Sequence, residues 1–490
     1  RRPEAAQLAP LLASIDGEVD RILKARKIQL ANFMAASFAT VTHERLVAIN
    51  SLSVDTSVEA RAVLNQILAT STEVASVIPE GNIARVLDPL VAPDQFYDVL
   101  VEANLAPPKQ TASDIKKALE AHIVEGRIAG FPLVQMDNPL MREAAYTALA
   151  REGLVPALIT EAARDAALSS HVFYERYAEP TAQITTAAHA ARKSAKNRVA
   201  TAQFADLTLD ALSLASIFFL AAIGLAITFG VMGVINMAHG EFIMMGAYTG
   251  YVVQLFIPNY TASIFVALPL AFAVTFVAGV VMERLVIRRL YHRPLETLLA
   301  TFGISIALQQ LAKNVFGTQA RPLTSPDWLA GAWVVNDVIQ ISYIRIAIFI
   351  LALLFLGLII YILKRTRLGL EVRAVTQNPG MASSMGINPD RINMMTFGLG
   401  SGIAGIAGVA IGLYAKVTSE MGSDYIVQSF MTVVVGGVGN VWGTLAGAAM
   451  IGFGQKGIEW LNPSNTLAAQ TYMILFVILF IQFRPKGIVA

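Results

Sequence analysis

The chain has 490 residues, no cysteine and a formal net charge of +2. Apolar residues make up 55% and charged residues 15%, the latter well below the ~25% of an average soluble protein. That excludes a disordered chain, a disulfide-stapled scaffold and a nucleic-acid binder carried by bulk positive charge. The average conceals a split. Residues 1–205 hold 21 Lys+Arg and 23 Asp+Glu, whereas residues 206–490 hold 16 and 12. Charge density falls from about one residue in five to about one in ten. A hydrophilic domain over 1–205 therefore precedes a membrane domain over 206–490.

The first half is rich in Ala, Leu, Glu, Arg and Lys, which lose little rotamer freedom in a helix. Over Thr111–Val124, Ser113 is placed to cap, and Ile115, Ala118, Leu119 and Ile123 share a face. Asn138-Pro139 opens another helix, with Ala145 and Leu149 on one side. No strand alternation persists. The half reads as a bundle or helical-repeat-like array of short helices. His43, His122, His171 and His189 are too scattered for ligand spacing. The run Arg192, Lys193, Lys196, Arg198 suits lipid headgroups or a solvated helix face. The start Arg1-Arg2-Pro3, without methionine, fits removal of a signal peptide or a trimmed chain.

In the second half charge-free runs mark membrane spans, each needing about 20 residues. They are Ala211–Ala238, Phe242–Met282 (divided at Pro258-Asn259), Leu298–Phe316, Ile346–Leu363, Ile392–Ala415, Tyr425–Gln455 (broken at 436–440) and Leu467–Phe483. The fold class is all-α: a polytopic helical membrane protein of about 7–9 membrane segments behind a soluble helical domain. Arg288, Arg289 and Arg293, then Lys364, Arg365, Arg367 and Arg373, then Arg484 and Lys486, mark three cytoplasmic loops. Counting back puts residues 1–205 outside, with the C-terminus inside. The basic run 192–198 opposes this, but long domains translocate largely regardless of charge.

Within the spans, Asn236, His239 and Glu241 place an amide, an imidazole and a carboxylate between apolar runs. Such groups are costly unless they face a cavity or a partner. A broken helix on the solute path is one reading; a turn at the inner headgroups is the other, and the charge count places the segment near the inner face. Gln309, Gln310 and Asn314 interrupt a later span. Gly400-Ser-Gly402-Ile-Ala-Gly405 matches G-x-G-x-x-G but lies inside an apolar helix with no strand before it. Gly398, Gly402, Gly405, Gly408, Gly436, Gly437, Gly439 and Gly443 instead suit close helix packing. There is no P-loop, nucleophile elbow or metal-ligand cluster, so the chain reads as no enzyme and as holding no cofactor. In the polar stretch 364–393, Asn378-Pro379 starts a short helix and Gly386 ends it. Met381 and Met385 share its face, which suits docking to a partner.

At these residues the sequence resembles the inner-membrane permeases of bacterial branched-chain amino acid type ABC importers, and within that family the urea-type members. The resemblance covers roughly 212–488. Its motifs are Gly230-Val-Met-Gly-Val-Ile-Asn-Met-Ala-His-Gly-Glu-Phe, Arg293-Pro-Leu-Glu-Thr-Leu-Leu-Ala-Thr-Phe-Gly with Gln309-Gln310, Arg373-Ala-Val-Thr-Gln-Asn, Phe397-Gly-Leu-Gly-Ser-Gly-Ile-Ala-Gly-Ile-Ala-Gly and Gly436-Gly-Val-Gly-Asn-Val-Trp-Gly-Thr.

It implies a multi-pass protein of the bacterial inner membrane, its N-terminal domain periplasmic. The implied partners are a second permease subunit, two ATPase subunits that bind the ATP and Mg, and a periplasmic substrate-binding protein. It also implies that 374–388 is the coupling helix, with Ala382 and Gly386 at motif positions and Arg373 and Gln377 in the adjoining motif. The solute it implies is urea, moved by alternating access. The low charge of the spans leans the same way, with Asn236, Gln309, Gln310 and Asn314 as amide partners. The alternatives are a branched-chain amino acid or short-amide permease of the same kind, or a passive small-amide channel.

Overall fold

The computed structural model describes residues 21–489; the Arg1-Arg2-Pro3 start lies outside them. The chain divides into two compact units, the first running to Val199 and the second from Ala200.

The first unit begins with helices α1 (Arg21–Phe38), α2 (Thr42–Leu52) and α3 (Val58–Ile67). Strands β1 (Thr70–Ala75) and β2 (Ile83–Leu87) follow, then α4 (Pro93–Glu102) and α5 (Ala112–Ala121). A small antiparallel sheet of β3 (Ile123–Val124), β4 (Arg127–Ile128) and β5 (Phe131–Pro132) leads to α6 (Pro139–Arg151) and α7 (Glu161–Ser169). Strand β6 (Val172–Tyr177) precedes α8 (Ala182–Met232), which continues into the second unit.

Sequence patterning anticipated several of these ends. Asn138 caps α6 by accepting from the Leu140 amide at 3.0 Å, and Ala145 and Leu149 are buried. In α5 the cap is Thr111 rather than Ser113. Its hydroxyl accepts from the Asp114 amide while Asp114 accepts from the Thr111 amide, so two unsatisfied donors are answered together.

The expectation of a bundle or repeat built only from helices needs correction. Strands β1, β6 and β2 form an antiparallel sheet with β6 in the centre. These strands escape pattern reading because they are short and carry charge. Arg85 grips Glu175 across the sheet with two bonds, at 2.9 and 2.7 Å. Thr70 pairs with Tyr177, a partner a hundred residues away in sequence, so no local alternation announces the sheet.

The second unit is a helical assembly. After α8 come α9 (His239–Phe256), α10 (Tyr260–Leu285) and α11 (Pro294–Phe316). A hairpin of β7 (Ala332–Val334) and β8 (Gln340–Ser342) precedes α12 (Tyr343–Arg365). The short α13 (Arg367–Gln377) and α14 (Pro379–Ser384) lead into α15 (Pro389–Tyr414), α16 (Met421–Gly436), α17 (Val441–Leu461) and α18 (Thr466–Phe483). The anticipated breaks are present: Asn259 caps α10 by accepting from the Ala262 amide, and Asn440 caps α17.

Among the described residues five helices are long and apolar enough to cross a membrane: α8, α10 with its following turn, α11, α12 and α15. The pair α16 and α17, bent by 118°, makes a sixth if it is one broken span. This is fewer than the anticipated 7–9. Helix α9 falls short because it carries His239, Glu241 and Gln254 and is buried along most of its length. A helix surrounded by protein needs no lipid-compatible surface. Leu467–Phe483, most of α18, is apolar but shorter.

Helix α15 lies at the centre, packed along α9 and α10. Glycines set that packing. A Cβ on Gly408 would overlap the Ile243 carbonyl oxygen of α9, and one on Gly405 would overlap Thr275 of α10. Gly402 faces the Phe272 ring, and Gly398 faces Phe276 and Val280. Helices that lack a hydrophobic drive to associate in lipid gain dispersion energy by such close approach.

Candidate functional site

Helix α8 ends at Met232, and Gly233 turns the chain with φ +64°, a conformation that favours glycine. Residues 233–238 are not helical; α9 starts at His239. The His239 Nε2 lies 3.0 Å from the Ala221 carbonyl oxygen. That carbonyl can only accept, so Nε2 carries the proton. Ala221 sits eleven residues before the end of α8, about 16 Å back along the helix at ~1.5 Å per residue. The chain therefore doubles back beside α8. His239 and Glu241 are buried within the protein, so neither side chain is presented to the surrounding medium.

The irregular stretch is satisfied locally. The Asn236 Oδ1 accepts from the Ala238 amide at 3.0 Å, and the Met237 amide donates to Thr301 Oγ1 of α11 at 3.1 Å. Non-helical backbone at membrane depth survives only where protein covers it or a cavity adjoins it. Asn236 is itself buried, and its Nδ2 has no partner.

Three helices converge on Glu241. Its Oε1 accepts from Ser305 Oγ and from Gln309 Nε2 of α11, each at 2.8 Å. Gln309 Nε2 also donates to Ser423 Oγ of α16 at 2.7 Å. The Glu241 Oε2 is buried without a partner. Helices α9 and α16 approach so closely here that a Cβ on Gly240 would overlap the Gly422 carbonyl oxygen. One turn further along α11, Lys313 pairs with Glu420 at 3.0 Å. A buried carboxylate with an open oxygen can take a cation or an N–H donor.

Of the six candidate pathway residues, His239, Glu241 and Gln309 lie around this motif, with Asn236 in the turn leading into it. Gln310 and Asn314 do not join them: both are exposed on α11, beside exposed Leu311 and Val315. Sequence reading missed Thr301, Ser305 and Ser423. The first two lie on the Gln309 face at intervals of four, a signal that was present.

The second candidate region is 364–393. The Asn378 Oδ1 caps α14 by accepting from the Met381 amide at 2.9 Å. Gly386, at φ +83°, follows α14, and the Ile387 amide returns to the Ala382 carbonyl oxygen at 3.0 Å. Ala382 is buried with Val372, Val375 and Ile392, whereas Met381 and Met385 are 63% and 78% exposed. Arg373 and Gln377 line a cavity of about 370 Å³ with Gly230, Val231, Lys364 and Gly439.

Gly439 (φ +80°) packs directly on Gly230, Gly436 abuts Gly443, and Gly437 abuts Val489. These glycines bring helix ends together. The G-x-G-x-x-G match lies wholly inside α15, so it has the wrong setting for a dinucleotide. Among the described residues no group of three or more His, Asp or Glu stands ready for a metal.

Residues 207–482 match the family described as the branched-chain amino acid transport system permease component. The chain belongs to that family. Among its relatives is the high-affinity branched-chain amino acid transport system permease protein BraD of Pseudomonas aeruginosa. It is 28% identical over 296 residues, 57% of this chain and 94% of that protein. The LivH protein of Escherichia coli K12, described in the same words, is 27% identical over 58% of this chain and 95% of its own. A probable branched-chain amino acid permease protein LivH of Methanocaldococcus jannaschii is 25% identical over 50% and 78%. No solved structure matches the chain. The family match begins beyond the first unit. The chain is thus a membrane permease component of the ABC-importer kind, a class whose members are transport subunits rather than enzymes.

Proposed function

We propose that this chain is the membrane-spanning subunit of an ATP-driven importer for a branched-chain amino acid, set in a bacterial inner membrane. The single observation that carries the solute class is the kinship above, since the relatives reported name branched-chain amino acids and none names urea. The Glu241 carboxylate supports it. An amino acid brings an ammonium group, and a buried carboxylate oxygen without a partner is its natural counterpart. The low charge of the spans favours urea; a carboxylate buried among the helices weakens that argument.

The first unit faces the periplasm in this reading, and the 364–393 segment and the C-terminus face the cytoplasm. The partners are a second permease subunit, two ATPase subunits that bind ATP and Mg, and a periplasmic substrate-binding protein. This chain holds no cofactor. Exposed Met381 and Met385 dock on an ATPase subunit, adaptable apolar side chains suiting such a contact. Ala382 packs on α13 and on the start of α15, and α15 packs along α9, which carries Glu241. Closure of the ATPases thus has a continuous packed route to the polar cluster, and tilting these helices exchanges the side to which it opens.

The test is uptake by vesicles reconstituted with this chain and all its partner subunits, using labelled leucine and labelled urea. ATP-dependent leucine uptake is expected. Uptake without ATP would overturn the importer reading, and urea uptake without leucine uptake would overturn the solute.

A further inference from the structure

In the first unit, α3 and the opening turns of α8 pack through Ala60, Leu64 and Ile67 against Ile184, Ala188 and Ala191. Beside this seam lies a groove of about 750 Å³, lined by Arg61 and Asn65 on α3 and by His189, Arg192, Lys193 and Lys196 on α8. No carboxylate lines it. None of the four Lys and Arg groups is in an ion pair among the described residues. In the same unit Arg45, Arg85, Arg164 and Arg176 are each matched with Glu or Asp within 3.1 Å.

The contrast is informative because acid is plentiful here: residues 1–205 carry 23 Asp+Glu against 21 Lys+Arg. Positive charge is therefore segregated into this groove against the overall balance. Arg192 and Lys196 stand four apart on one helix, where like charges repel and weaken the helix. An anion between the two walls removes that cost and gives both walls a shared partner.

We propose that this groove binds a phosphate group. Two guanidinium forks from opposite walls suit its planar pairs of oxygens, and the lysines add point charges. The Asn65 amide supplies a neutral donor. The volume leaves room for an organic substituent on the phosphate. A lipid headgroup and a free phosphate share this chemistry.

The test uses the full chain purified in a neutral detergent. One arm titrates inorganic phosphate by calorimetry at low salt. The other adds phosphatidylglycerol or phosphatidylcholine and counts retained lipid by native mass spectrometry. The variant carries Arg192→Gln, Lys193→Gln and Lys196→Gln together. Arg61→Gln, on the other wall, is the independent variant should the triple one fail to fold, and Lys116→Gln with Lys117→Gln on α5 is the control.

Phosphate binding that weakens at least tenfold in the groove variants, but not in the control, supports a free phosphate. Selective retention of phosphatidylglycerol, lost in the groove variants alone, supports a headgroup. Absence of both in the unmodified chain, or equal binding by groove variants and control, overturns the proposal.

Discussion

Glu241 has one carboxylate oxygen answered by two donors and the other buried without a hydrogen-bond partner, beside Gly422. A hydrogen bond to a charged group is worth about 1.5–3 kcal/mol, which corresponds to roughly tenfold or more in binding. Glu241→Gln keeps the shape and removes the charge. Solute uptake by reconstituted vesicles is expected to fall by about tenfold or more, with unchanged amounts of protein in the membrane. Gln310→Ala and Asn314→Ala, outside the cluster, are expected to leave uptake near normal. Equal loss in all three variants would detach Glu241 from the solute path. A second residue-scale prediction concerns Gly408, where any side chain meets the Ile243 carbonyl. Gly408→Val should cost at least about 1–3 kcal/mol through overpacking, seen as a lower thermal midpoint in detergent. At this scale the motif itself was legible, because Asn236, His239 and Glu241 interrupt apolar runs. The Thr301, Ser305 and Gln309 spacing was legible too, but that this face meets Glu241 was not, because Ser305 lies 64 residues from Glu241.

Helix ends were legible because capping is local: a side chain a few residues away answers the free amides of the first turn. Asn138, Asn259, Asn378 and Asn440 all do so. The same locality made α14 readable from Asn378-Pro379 to Gly386. Its proposed role in docking is testable by Gly386→Leu. The +83° φ penalises any side chain, so α14 should lose its fixed exit while the spans remain inserted. ATPase activity is expected to uncouple from uptake; normal coupled transport would remove the docking role. The sheet around β6 shows the opposite case. Its strands are five or six residues long and joined through distant pairings, so nothing within a short window distinguishes them from loops.

At the scale of the molecule, the absence of cysteine makes orientation directly measurable. Asn336→Cys should react with a membrane-impermeant thiol reagent from outside intact cells, and Ser384→Cys only after the cells are opened. The reverse pattern would invert the proposed topology. The first unit has a pH dependence of its own. Burial alone would raise the Glu179 carboxyl, but the Arg45 side chain and the Thr181 amide outweigh it and hold it below its ordinary value. Asp94 is likewise held low by hydrogen bonds from Lys109 and Arg164. A carboxylate depressed in the folded state contributes stability above its unfolded value, about 4, and loses it as pH falls through the lower folded value. The hydrogen-exchange protection factors over 172–199 in the full chain, corrected for the intrinsic pH dependence of exchange, should therefore be high at neutral pH and fall below about pH 4. Arg45→Ala should lower them at neutral pH, by the equivalent of about 1–3 kcal/mol.

The sequence by itself determined the charge-rich and apolar halves, the ends of most helices and the family motifs. These follow from composition, charge placement and capping, which act within a few residues. Only the tertiary structure decided that 233–238 folds back beside α8, that Glu241 meets Ser305 and Gln309 while Gln310 and Asn314 face outward, and that β6 pairs with β1 and β2. The physical reason is common to all three. A buried polar group must find a partner, and here the partners come from chain segments tens of residues away, fixed only once the helices have packed.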